Sequence, residues 1–219
     1  MDIKISKELS ALCPGVTLMV LSYETEVQKS SKELTSLLDK TIKELRKRYS
    51  IADLPEITPI KDTRTAYRIL GKSPTSYRNA AEAMLRRIIK GKGLYQINNV
   101  VEINNLISIT TGYSVGSYDS DSLTGIVELR RSLEGESYKG IGKDVVNIAN
   151  LPTLYDDKGA FGNPTSDSRR AMISSGMHRI SSVIYSFSGN HDLDMIAEKY
   201  HELLETYCCV KKCHVEIID

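Results

Sequence analysis

Apolar residues recur along this chain in two rhythms, and the change from one to the other divides it. From residue 30 or 31 to residue 49, Leu34, Leu37, Leu38, Ile42 and Leu45 recur at three- and four-residue steps, with Lys and Glu between them. That spacing predicts an amphipathic helix, with Ser31 as its cap. Residues 60–70 predict a second helix, stopped by Gly71. A third is predicted from Ser73-Pro74-Thr75-Ser76 to Lys90, with Ala80, Ala83, Met84 and Ile88 on its apolar side. An Asn-rich helix follows over residues 99–110, closed by Gly112. Alternating or β-branched runs predict strands at residues 3–5, 16–23, 125–130, 151–155, 160–161, 171–174, 179–187 and 210–218. Asp156-Asp157-Lys158-Gly159 reads as a hairpin turn between two of them. Residues 192–207 return to helical spacing through Leu193, Ile196, Tyr200, Leu203 and Leu204, with Asn190 or Asp192 as the cap. Helices cluster early and strands late. The pattern predicts an α+β single domain over residues 1–219, with a mixed or antiparallel sheet of about seven strands and flanking helices.

Asn98, Asn99, Asn104 and Asn105 stand out within the apolar helix. Asn is a poor helix-interior residue, because its amide competes for backbone hydrogen bonds. Four of them suggest caps, or amides aimed at a partner. The helix runs into a loop rich in Tyr, Ser and Asp, and a β-branched strand follows.

Composition narrows the function classes. The 219 residues carry a net charge of +1, so no global field draws the chain to a polyanion and any such contact is local. No apolar run approaches the ~20 residues that span a bilayer, and no membrane partner is expected. Met1 to Ser10 lack the apolar region of a signal peptide, which points to a cytoplasmic protein. The four cysteines, Cys13, Cys208, Cys209 and Cys213, then read as free thiols. Cys209, Cys213 and His214 have no second cluster at metal-binding spacing, and Cys209, Cys213, Val215 and Ile217 fall on one face of the last strand as core. No metal and no cofactor is expected. There is neither a Gly-x-Ser-x-Gly elbow nor a P-loop. His178, His191, His201 and His214 all lie late; His191 and His201 read as surface residues, and His178, just before a strand, could face a cleft, although a surface position is its plainer reading.

Four elements occur in one order: Asn99-Val100-Val101-Glu102-Ile103-Asn104-Asn105, then Tyr118-Asp119-Ser120-Asp121, then Gly125 to Arg131, then Glu134-Gly135-Glu136. Their order and spacing resemble the editing module (the B-three/B-four, tRNA-binding domain) of the phenylalanyl-tRNA synthetase beta subunit, over residues 73–187. The segment from Gly162 to Arg169 is more similar to free-standing members of that family. The resemblance implies the editing fold and hydrolysis of the ester of mischarged tRNA, chiefly tyrosine on phenylalanine tRNA. Acting in trans on the aminoacylated 3' end of tRNA is what a free-standing member implies. Two positions depart from the family: Gly116 stands in register with its histidine and Pro164 with its glutamate. No catalytic side chain is therefore assigned.

Ester hydrolysis needs a positioned water, a side-chain pocket and donors for the developing oxyanion, but no strong nucleophile. Thr165, Ser166, Asp167 and Ser168 follow Pro164 in a hydroxyl-rich turn that presents hydroxyls and N–H groups together, and they are the first candidates. The same turn could instead be an Asx or Ser/Thr turn joining two strands. Tyr118, Asp119 and Asp121 could read an amino group or a ribose, or could be a structural turn. Asn105 matches the family's Asn and could line the pocket, whereas Glu102 could be the polar partner of a substrate tyrosine hydroxyl but reads more plainly as a solvent-facing helix residue. For RNA, Arg86, Arg87, Lys90 and Lys92 form a local basic cluster beside Tyr95, with the pairs Arg130-Arg131 and Arg169-Arg170 further on. A solvated charged face is the plainer reading of any one of these. Twelve tyrosines against two phenylalanines are read as amphipathic core or surface positions. Two alternatives to a deacylase stay open: a non-catalytic module that binds tRNA, an amino acid or a small metabolite, and a hydrolase of small esters or amides.

Overall fold

A computed structural model describes residues 2–219. The strands are β1 (Ile3–Ile5), β2 (Thr17–Val27), β3 (Ser114–Asp119), β4 (Val127–Arg131), β5 (Ser137–Lys139), β6 (Val145–Asn147), β7 (Pro152–Asp156), β8 (Gly159–Gly162), β9 (Gly176–Ser186) and β10 (Cys213–Ile218). The helices are α1 (Lys7–Leu12), α2 (Lys32–Arg48), α3 (Thr58–Ile69), α4 (Ala80–Ile89), α5 (Asn99–Thr111) and α6 (Leu193–Cys208).

The α+β class stands, but the strands divide otherwise than a single sheet. They form one sheet in the order β1-β4-β7-β8, a second in the order β10-β2-β9-β3, and a ribbon of β5 and β6. Only β1 and β4 pair in parallel among the described residues. The cause lies in β2, whose consecutive Leu18, Met19, Val20 and Leu21 are all buried. A strand apolar on both faces must be covered on both. Met19, Leu21 and Tyr23 meet Ile180 and Ile184 of β9 under helices α2, α4, α5 and α6. Leu18 and Val20 meet Val183 and Tyr185 on the other face, against Val127 and Leu129 of β4, Leu154 of β7 and Phe161 of β8. The layers are therefore helices, sheet, sheet. Each fully buried aliphatic side chain contributes roughly 1.5–3 kcal/mol.

Helix ends follow the capping residues. Ser31 accepts from the Leu34 N–H, and Gly112 closes α5 in the left-handed conformation. Residues 73–78 do not start the third helix. Asn79 is extended there and accepts from the Glu82 N–H at 2.8 Å, so α4 begins at Ala80. Residues 171–174 are not a strand either: a 3-10 turn over Arg169–Ala171 leads to a single bridge between Met172 and Tyr118. The loop expected after the Asn-rich helix is strand β3, paired with β9 from Ser114 to Asp119. The last strand is an edge strand, so the cysteine face is not uniformly core. Cys213 and Ile217 pack on the core, while Val215 and Cys209 are exposed. No group of three or more His, Cys, Asp or Glu among the described residues could hold a metal. No described helix is long and apolar enough to cross a membrane.

Candidate functional site

The hydroxyl-rich turn leaves β8 at Gly162 and is fixed by Asn163. The Asn163 Oδ1 accepts from the N–H groups of Thr165 (2.8 Å) and Ser166 (3.0 Å), an Asx turn that withholds both donors from an oxyanion. Its Nδ2 donates to the Tyr138 hydroxyl at 2.7 Å, and that hydroxyl donates to the Ser166 carbonyl. The hydroxyls of Tyr67 and Thr165 share a hydrogen bond of 2.8 Å. Ala80 N–H, at the start of α4, donates to the Pro164 carbonyl at 2.7 Å. Ser168 N–H donates to the Phe161 carbonyl, and its hydroxyl accepts from Arg170 N–H at 3.2 Å.

Asp167 is the chemically distinctive member. Its Oδ1 accepts from the Tyr118 hydroxyl at 2.7 Å, and that hydroxyl lies 2.6 Å from the hydroxyl of Tyr185. Burial pushes the Asp167 carboxyl up to about 7, against the opposing pull of Tyr118 and the Asn163 N–H. Burial likewise holds the Tyr118 and Tyr185 phenols far above their ordinary range, with the Asp167 charge adding to it. A carboxyl that exchanges its proton near neutrality is suited to general acid–base work.

Two glycines make room for this network. A Cβ on Gly116 or on Gly162 would overlap the Tyr118 phenol, and on Gly116 it would also lie 3.2 Å from Asp167 Oδ2. The Tyr118 ring occupies the space that a side chain at residue 116 would take, and packs edge-on against Phe161.

The sequence candidates separate into groups. Tyr118 and Asp167 meet, although 49 residues apart, and Thr165, Ser166 and Ser168 belong to the same turn. Tyr118 is fully buried and reads no solvent-borne group. Asp119 and Asp121 point elsewhere: Asp119 lies 3.4 Å from His178 Nδ1, and Asp121 pairs with exposed Arg179. Of the asparagines, Asn98 caps α5, and Asn99 joins it to Gln28 and Glu26 beyond and within β2. Asn104 donates to Ser117 at 2.8 Å and accepts from Tyr200. Asn105 is half-buried beside them. Glu102 is buried rather than solvent-facing, because four consecutive positions of α5 from residue 102 are enclosed by neighbouring elements or partly so.

A groove of about 820 Å³ opens beside the turn. Tyr138 and Ser168 form part of its wall, with Arg130, Lys139, Lys158, Arg169 and Arg170 facing a single acid, Glu136. Arg170 holds Asp156 at 2.7 and 3.1 Å. Burial alone would raise that carboxyl; Arg170 and the Thr124 and Lys158 N–H groups outweigh it and hold it below the usual range. Arg130 lies 3.5 Å above the Tyr155 ring and 3.3 Å from Glu136. Lys139 and Lys158 are exposed.

The basic cluster on α4 is only partly free. Arg86 is 2.8 Å from buried Glu82, which Arg64 also reaches at 3.0 Å, and Arg78 stands at 3.8 Å. Arg87 donates to the Gly93 carbonyl and covers the Tyr95 ring at 4.5 Å. Lys90 and Lys92 are exposed, at the far end of α4 from the turn; a ten-residue helix spans roughly 15 Å.

A family described as the B3/4 domain matches residues 62–192, more than half of the chain. The chain belongs to the B3/4 domain family. The match spans the whole turn, its tyrosine partners and the α4 cluster. The phenylalanine–tRNA ligase beta subunit of Neisseria meningitidis serogroup A is 27% identical to this B3/4 chain over 78 residues, 35% of the chain and 10% of that protein. The same subunit of serogroup B is 26% identical over 78 residues. The aligned part is thus about a tenth of the length of these curated relatives. An N-terminal fragment of the phenylalanyl-tRNA synthetase beta subunit from Pyrococcus horikoshii aligns with 99% of the chain and 50% of its own, at 8% identity and a TM-score of 0.48.

Residues 67, 138, 163 and 185 were absent from the sequence candidates. The one signal for the three tyrosines among them was the excess of tyrosine over phenylalanine, and Asn163 carried none of that kind. Four tyrosines spend their hydroxyls in one network around one turn, which phenylalanine could not do.

Proposed function

We propose that this B3/4 domain binds the aminoacylated end of a tRNA and hydrolyses the ester of a mischarged amino acid, acting in trans. One observation carries the reading: Asp167, a carboxyl with its proton poised near neutrality, immediately precedes Ser168, which lines a groove that five cations also line. The cations suit the phosphates of an RNA end. In the reaction Asp167 takes a proton from water as the water oxygen attacks the ester carbonyl carbon. The tetrahedral intermediate collapses with cleavage of the bond to the ribose oxygen, which leaves as a hydroxyl after taking a proton back. The products are a free amino acid and an uncharged tRNA. The relatives named as phenylalanine–tRNA ligase beta subunits support phenylalanine tRNA as the partner, and tyrosine as the amino acid removed is what the family resemblance implies.

A second reading is favoured by the Tyr118 phenol, which fills the space between Gly116 and Gly162. On that reading the domain binds charged tRNA without turning it over. Incubation with tyrosyl-tRNA(Phe) and a small panel of other mischarged tRNAs separates the two. Amino acid released by the wild type and lost in Asp167→Asn supports hydrolysis. Saturable tRNA binding with no release on any substrate overturns it in favour of the binding module.

A further inference from the structure

A second cavity, of about 560 Å³, lies between the start of α5, the segment after β2 and the segment before β9. It shares no lining residue with the cationic groove. Lys29, Ser30, Ile97, Glu102, Met172 and Ile173 are among the residues that line it. Glu102 is 1% exposed, yet its Oε2 has no hydrogen-bond partner, and neither has the enclosed Ser30 Oγ. Other buried carboxylates of the chain are fully engaged: Glu82 by arginines and Asp156 by Arg170 and two N–H groups. Among the described residues, Glu102 is the one buried acid with an unpartnered oxygen.

An ionised carboxylate out of water is costly unless a donor or a cation faces it. The first turn of α5 offsets part of that cost through the helix dipole, but supplies no partner to Oε2. The position is rigid. Asn98 caps the helix and Asn99 ties it to Glu26 and Gln28, so neither oxygen escapes by a shift of the backbone. The only cation in the lining, Lys29, is exposed and forms no ion pair among the described residues. Half-exposed Met172 and strongly exposed Ile97 offer apolar contact at the cavity wall, with buried Ile173 beneath.

We propose that this cavity is a binding site for a small cation, a primary ammonium or guanidinium group on a short apolar stem. The charged N–H groups donate to Glu102 Oε2 and to Ser30 Oγ, and the stem rests on Ile97, Met172 and Ile173. A free alkylamine and a lysine side chain present the same chemistry, and separate probes distinguish them.

The test titrates the full chain with n-butylammonium, agmatine, the N-acetyl methylamide of lysine, and choline, which has no N–H donor, following side-chain carboxyl resonances by NMR. Saturable movement of the Glu102 carboxyl signal by n-butylammonium or agmatine, with choline at least tenfold weaker, is the expected result. A response to the lysine amide alone assigns the site to a lysine side chain and overturns the small-cation form. Glu102→Gln should weaken the amine at least tenfold while leaving the tRNA assay unchanged. The wild-type titration stands by itself if that variant fails to fold. No saturable response, or equal affinity for choline, overturns the proposal. Neither result bears on ester hydrolysis, because Asp167 and the cationic groove contribute no residue to this cavity.

Discussion

Replacing Asp167 with Asn separates the electrostatic cost of the turn from its shape. Asn keeps an oxygen to accept from the Tyr118 hydroxyl and removes the charge. The wild-type carboxyl is raised from 3.8 to about 7. In the folded state it therefore holds its proton across a window in which the unfolded chain has released it. The folded form binds more protons between about pH 4 and pH 7, so stability is full below that window and falls as pH rises through it. At about 1.4 kcal/mol per pH unit the loss amounts to roughly 4 kcal/mol by neutrality, a large part of the ~5–15 kcal/mol that holds a domain of this kind together. Urea denaturation at half-unit steps from pH 4.5 to 8.5 measures it for both proteins. Asp156 and Glu136, whose carboxyls sit below their usual range, withdraw stability as pH falls, but they do so in both proteins and cancel in the difference. The variant should gain on the wild type steadily with pH and be the more stable of the two at pH 8. Parallel profiles would refute the argument that burial raises Asp167. In the deacylation assay the wild-type rate should rise with an apparent pKa near 7, and the variant should lose at least ~100-fold.

Further predictions concern the frame around the turn. Gly116→Ala should cost about 1–3 kcal/mol in denaturant unfolding, because its methyl overlaps the Tyr118 phenol, and Tyr118→Phe in the same background should restore part of the loss. Glu82→Gln should destabilise by about 3–5 kcal/mol at pH 7, since it leaves Arg64 and Arg86 unpaired around an enclosed site; a thermal shift below 2 °C would contradict that. Lys139→Ala with Lys158→Ala should weaken tRNA binding and lower the slope of log affinity against log salt by about 1.5, whereas Lys90→Ala with Lys92→Ala should change it less.

The helical half of the fold was plain in the sequence, because Leu34, Leu38 and Leu45 have one buried side and their helix carries its own cap. β3 was not plain. It carries Ser114, Gly116, Ser117 and Asp119, poor strand formers that pair because β9 offers a ladder on that edge. The division into two sheets was present in the unbroken apolar run of β2, but an apolar run alone does not say what lies on its second side. At the site, the turn was visible from its composition and Asp167 was among its members. The tyrosines that hold it come from positions 67, 118, 138 and 185, brought together only by tertiary packing. Asp119 directly follows Tyr118 yet points to the opposite face, since successive residues of a strand alternate, and Asp121 lies beyond it in a 3-10 turn, paired with exposed Arg179.

The pairing of β2 has a consequence for how the chain is made. β2 ends at residue 27, and its neighbours β9 and β10 begin at residues 176 and 213. At ribosomal speeds of about 5–20 residues per second, the earlier of these partners emerges roughly 8–30 s after β2 has left the tunnel. Throughout that delay, the oil-like run from Leu18 to Leu21 has no hydrogen-bonding neighbour, and holdase chaperones that grip such segments would find a target there.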